Sequence, residues 1–98
     1  MGRRPQRTVD DALMAFWRVT ERNDGLPPTV RELQEEMGLK SVSNGAWWMG
    51  RLEEEGLIYI PSALRTTSRY GRDRVRRLTS AGFARGETLA RLSLAQAR

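Results

Sequence analysis

Arginine is the residue type with the most capacity for chemistry in these 98 residues, and it is unevenly spread. Sixteen of the seventeen basic side chains are Arg. Arg65, Arg69, Arg72 and Arg74 fall within one ten-residue stretch, Arg76 and Arg77 follow, and Arg3, Arg4 and Arg7 open the chain. A guanidinium grips phosphate and guanine edges through two parallel hydrogen bonds, which an ammonium cannot do. A GC-rich genome also raises the arginine count, but composition bias does not cluster charge. Residues 1–8 carry +3 with no acid. Residues 9–61 hold five basic and ten acidic side chains, net −5, and residues 62–98 hold nine and two, net +7. An acidic body between basic extremities is the pattern of appendages that meet a polyanion.

Other chemistry is excluded by what is missing. The chain has no cysteine and no histidine. Disulfides, thiolate metal sites and thiol catalysis go with the first, and the commonest general base and metal ligand with the second. Glu32, Glu35 and Glu36 have no base, nucleophile or ligand set beside them, so a hydrolase reading has no support. No enzyme, metal, cofactor or small-molecule ligand is expected. No apolar run reaches membrane-spanning length, and the N-terminal arginines precede no apolar stretch of a signal peptide. The expectation is a cytoplasmic binding module.

Four segments could position the charged extremities. Residues 1–8 form a basic arm without periodicity. Thr8 and Asp11 approximate a capping box, after which Val9, Leu13, Phe16 and Thr20 recur at helical spacing. The helix spans about residues 9–23, with Trp17 at the edge of its buried face, and Asn23-Asp24-Gly25 stops it. After Leu26-Pro27-Pro28, Thr29 and Glu32 form a cleaner capping box. Val30, Leu33 and Met37 face inward, Glu35 and Glu36 face water, and Gly38 makes a left-handed stop. Ser41 or Ser43 caps a third helix over about 43–55. At about 100° per residue, Gly45, Met49 and Leu52 share its inward stripe, Trp48 and Ala46 lie on the two borders, and Trp47 points directly away. Leu57–Ile60 reads as a strand ended by Pro61, residues 61–74 lack an apolar pattern, and Val75–Leu78 returns as the partner strand. Thr79-Ser80 caps a last helix, whose start Gly82 and Gly86 weaken. Its apolar stripe is Phe83, Ala90, Leu94 and Ala97, with Leu89 and Leu92 on neighbouring lines.

Helix, short helix, glycine turn, helix and hairpin is the order of a winged helix-turn-helix, in which the third helix can enter a major groove. The expected fold is mainly α with a small β-hairpin (α+β). It comprises a basic arm (1–8), a winged helix-turn-helix with an extended wing (9–78) and an additional C-terminal helix (79–98). Gly25-Leu26-Pro27-Pro28-Thr29-Val30-Arg31-Glu32-Leu33, Met37-Gly38-Leu39-Lys40-Ser41 and Leu52-Glu53-Glu54-Glu55-Gly56-Leu57-Ile58 together resemble the DNA-binding domain of LexA repressors, over residues 9 to 60. Leu78-Thr79-Ser80-Ala81-Gly82 resembles the segment after the wing in MarR-type regulators. The LexA resemblance implies base contacts from Ser41, Ser43, Asn44, Ala46 and Trp47. Arg31, Lys40, Arg51, Arg65, Arg69, Arg72, Arg74 and Arg76 are expected on the DNA backbone, and Arg3, Arg4 and Arg7 form a possible minor-groove arm.

The chain departs from that family at Gly45, which costs helix propensity and is expected to loosen the core. It departs again at Trp47 and Trp48, so the LexA target sequence does not transfer, and in its long basic wing. The self-cleaving LexA C-terminal domain has no counterpart here. The expected function is sequence-specific binding of double-stranded DNA by a small bacterial or bacteriophage transcriptional regulator, as a homodimer through the C-terminal helix. The alternative is a winged-helix module that binds RNA polymerase or a host factor through Trp47 and the basic wing.

Overall fold

The computed structural model of the chain describes residues 7–65 and 74–96. Arg3, Arg4, Arg69, Arg72 and Ala97 therefore lie outside the described residues. The elements run α1 (Val9–Arg22), α2 (Val30–Met37), α3 (Val42–Glu54), β1 (Ile58–Tyr59), α4 (Ser62–Arg65), β2 (Arg77–Leu78) and α5 (Ser80–Gln96). This is a mainly helical α+β winged helix.

Local chemistry fixes the first three helices. The Thr8 hydroxyl accepts from the Asp11 N–H while the Asp11 carboxylate accepts from the Thr8 N–H, a complete capping box. Thr29 and Glu32 make a second. Each satisfies two amide donors that a helix start would otherwise leave open. Asp24 and Gly25 turn the chain out of α1 with φ of 56° and 94°. Gly38 ends α2 in the left-handed region at φ 69°, where a Cβ would be strained.

One core joins these helices. Leu13 and Phe16 of α1, Leu33 of α2, Met49 and Leu52 of α3 and Ile58 of β1 are all buried. Each large side chain so buried contributes about 1.5–3 kcal/mol against the ordering entropy. Gly45 belongs to the same interface. A Cβ there would stand 2.9 Å from both the Val30 carbonyl oxygen and the Gln34 Cβ. The glycine therefore does not loosen the core: it lets α3 lie directly on α2.

The hairpin is shorter than its sequence implies. Ile58 pairs with Leu78 and Tyr59 with Arg77, antiparallel. Ile60 and Val75 stand outside the ladder, although Val75 is buried. Pro61 cannot donate to a ladder, and its carbonyl instead accepts from the Leu64 N–H at 2.8 Å, opening the single turn α4. That turn occupies part of the segment expected to be patternless.

Gly82 and Gly86 also correct their expected role. They are the buried residues of α5. A Cβ at Gly82 would fall 1.9 Å from the Leu57 carbonyl oxygen, and one at Gly86 2.4 Å from Trp17 Cε3. Glycine here is the docking surface of α5 rather than a weak point. Phe83 meets Trp17 with ring centroids 5.3 Å apart, and Arg85 grips Asp10 through both carboxylate oxygens at 3.1 and 2.6 Å. Leu89 packs against the core, whereas Phe83, Leu92 and Leu94 remain exposed.

Candidate nucleic-acid interface

Helix α3 is held from behind by α2 and the turn between them. The Gln34 side-chain amide donates to the Leu39 carbonyl at 2.7 Å, and the Leu39 N–H donates back to the Gln34 carbonyl at 2.9 Å. Ser41 caps α3, its hydroxyl accepting from the Asn44 N–H at 3.2 Å. The hydroxyl proton is left available to donate outward. Ser43, Asn44, Ala46 and Trp47 are exposed with Ser41, so the five base-reading candidates share the accessible surface of one turn and one helix start. Trp47 keeps 58% of its surface exposed. Half-buried Trp48 packs against the core and meets Trp47 edge-on, with centroids 4.9 Å apart and planes at 88°. The inner ring thus orients the outer one.

Charge along α3 is polarised. No acid occurs before Glu53, and Glu53-Glu54-Glu55 then close the helix. Arg51 turns to those acids, 3.3 Å from Glu54 and 3.2 Å from Glu55. Arg31 and Lys40 are exposed beside the acid-free end. An anionic surface can approach α3 closely until its last turn, where the acids repel it.

The remaining backbone candidates divide. Arg65 ends α4, Arg76 is half-buried, and Arg69 and Arg72 lie outside the described residues. Arg74 is turned inward. Its Nη1 and Nη2 take the two carboxylate oxygens of Glu32, the second at 2.9 Å, and Nη1 also donates to the Pro27 carbonyl at 3.1 Å. The guanidinium and the Thr29 N–H hold the Glu32 carboxyl below its ordinary range against the opposing effect of burial, and Glu32 in turn raises Arg74. Arg74 therefore anchors the wing to the start of α2 instead of standing free for phosphate. Arg7 of the arm likewise has a local task, donating through Nε to the Met37 carbonyl at the end of α2 at 3.0 Å. Arg3 and Arg4 lie outside the described residues.

An exposed, acid-free helix start braced on a second helix, with a hairpin beside it, is the geometry of a DNA reader. The family model of the LexA DNA binding domain matches residues 5–67. The chain belongs to this LexA-type DNA-binding family. The LexA repressor of Brevibacillus brevis is 45% identical over 47 residues, which is 48% of this chain and 23% of that protein. The chain thus spans less than a quarter of the length of this curated relative. No solved structure matches it.

Within this LexA-type domain, three features have no local sequence signal or depart from what that signal implies. Glu36 does not simply face water. It takes Arg18 Nε on one carboxylate oxygen and Arg22 Nη2 on the other, each at 2.7 Å, which lowers its pKa and ties α2 to α1. The signal was there in Arg18 and Arg22, one helical turn apart. The Glu32–Arg74 pair bridges 42 positions and had none. Gly50, inside α3, carries no local signal of its own. A groove of about 490 Å³ also runs beside Trp17, Thr20, Glu21, Gly25, Leu78 and Phe83. Among the described residues no three of His, Cys, Asp and Glu gather as a metal site, and no helix is long and apolar enough to cross a membrane.

Proposed function

We propose that this chain is a small sequence-specific regulator of transcription, cytoplasmic and bacterial or bacteriophage in origin, that inserts α3 into the major groove of double-stranded DNA. The observation that carries this reading is the uncharged, exposed N-terminal half of α3, backed by α2 and bordered by Arg31 and Lys40. A helix about 10–12 Å across fits a groove about 12 Å wide. Ser41, Ser43 and Asn44 supply polar contacts to base edges, and Asn44 has the two-headed amide that pairs with adenine. Ala46 and Trp47 supply apolar contacts. Arg31, Lys40, Arg65, Arg69, Arg72 and Arg76 supply phosphate contacts, with Arg51 and Arg74 contributing less because their guanidinium groups already hold carboxylates. Arg3 and Arg4 extend the basic arm toward a minor groove.

A single winged helix reads a short half-site, so specificity against a genome favours two copies. Leu92 and Leu94 are 54% and 71% exposed on the distal half of α5, which supports a homodimer through that helix. The second reading, a module for RNA polymerase or a host factor, draws on the exposure of Trp47 alone.

Selection of bound duplexes from a random pool, followed by titration across salt, tests the proposal. Enrichment of one motif, with affinity falling steeply as salt rises, is the expected result. Binding that is indifferent to both sequence and salt overturns it.

A further inference from the structure

Four glycines lie inside helices of the described residues, and three have a packing reason. Gly45, Gly82 and Gly86 each sit where a Cβ would collide with a neighbouring element. Gly50 does not: a Cβ there meets nothing within 4 Å. Its backbone lies mid-α3 without a positive φ. A glycine inside a helix lowers its stability relative to alanine, so the fold keeps a cost at Gly50 with no internal return.

The outward neighbour of this position is informative. Gly50 lies three residues after Trp47, about 60° round the helix on the same outer side. Trp47 is exposed, and its ring is held edge-on by Trp48, which is itself packed on the core. The surface there is an exposed apolar ring on one helical line and bare backbone facing open space on the next. No side chain comes within 4 Å of where a Gly50 Cβ would stand, so a methyl group from outside can approach the helix backbone there. Ala46 adds apolar surface on the other flank, and α3 holds no acid before Glu53.

We infer that Trp47 and Gly50 together read the 5-methyl group of a thymine. The inference rests on the duplex-binding reading above and deepens it. Among the base edges of the major groove, the thymine methyl is the apolar feature, and the others are hydrogen-bond donors and acceptors. An exposed apolar ring next to an open backbone position, flanked by the polar Ser43 and Asn44, matches that one feature.

The test uses the full chain and the duplex enriched by selection, with each thymine replaced in turn by deoxyuridine, which removes the methyl and keeps the pairing. At one or two positions the loss should be about fourfold, the equivalent of unburying one methyl-sized group. Cytosine at such a position should bind weakly, and 5-methylcytosine should recover part of the loss. Gly50→Ala should raise the thermal stability of the free protein and abolish the difference between thymine and uracil. Trp47→Ala should abolish it as well, whereas Trp47→Phe, which keeps a ring and drops the N–H, should retain it. A selected motif bound equally with uracil throughout overturns the inference and leaves DNA reading intact. Loss of the difference in Trp47→Phe assigns reading to the indole N–H and also overturns it. If no duplex is enriched, or Trp47 instead captures a protein while DNA binding is unaffected by its removal, the underlying DNA-reading proposal for this surface fails.

Discussion

Glu32 combines several roles in one carboxylate. It closes the capping box on the Thr29 N–H, accepts from the Asn23 side chain and takes both arms of Arg74. Its pKa is lowered chiefly by Arg74, so its contribution to stability is present above the ordinary carboxylate range and is lost as pH falls through its folded-state value. Glu36 has the same sign, through Arg18 first and Arg22 second. Glu32→Gln should therefore cost about 1–2 kcal/mol at neutral pH, allowing for partial solvent screening. Urea denaturation at pH 7 and again near pH 3 (about one unit below a free carboxylate) checks this, since the difference between wild type and variant should shrink in acid. Asn44 is a residue of the other kind, exposed and dispensable to the fold. Asn44→Ala should weaken a selected site by about 1–3 kcal/mol and random DNA far less. Equal losses in the two titrations would remove it from the readers.

Among the elements, α5 depends most on close approach. Its closest approaches to the rest of the chain are Gly82 over the Leu57 carbonyl and Gly86 over the Trp17 ring. The Leu57 oxygen is backbone and cannot swing aside. Gly82→Ala should accordingly destabilise the protein by about 1–3 kcal/mol through overpacking, although alanine is the better helix former. Gly50→Ala should do the reverse and stabilise by about 1 kcal/mol. Thermal melts of the two variants side by side read the opposite signs directly. Equal shifts would mean that α5 does not dock as described. The Arg85–Asp10 pair at the same interface is half-exposed and contributes little by comparison.

At the scale of the whole molecule, the proposed encounter with DNA turns on charge and assembly. The net +7 of residues 62–98 is offset by the net −5 of residues 9–61, so on the proposed reading the basic wing steers DNA in and the acidic end of α3 repels it. Replacing Arg65, Arg69 and Arg72 together by Ala should weaken all sequences alike and flatten the salt slope by up to about 0.9 per lost phosphate contact. An unchanged slope would show that these arginines do not touch phosphate. Dimerisation through α5 is checked by sedimentation at tens of micromolar. The full chain should form a dimer, and Leu92→Glu with Leu94→Glu should return it to a folded monomer. A wild-type monomer, on and off DNA, would rule the assembly out.

The sequence by itself determined the elements whose signals are local. Two capping boxes, a left-handed Gly38 and the inward stripe of Gly45, Met49 and Leu52 placed three helices to within a residue or so, because each signal spans only a few positions. The outward direction of Trp47 followed from helical geometry alone, and the quoted motifs carried the family. The tertiary structure decided what depends on surfaces meeting across the chain. Gly45 and Gly82 looked like weak points because helix propensity is a property of one strand of backbone, whereas close packing is a property of two elements. Arg74 looked like a free phosphate ligand because its partner, Glu32, lies 42 positions away, and a charge-assisted bidentate pair in the fold outweighs the local impression of a basic loop. Gly50 acquired a meaning only once the other helix glycines were explained, since an empty neighbourhood can be recognised only when the neighbours are in place.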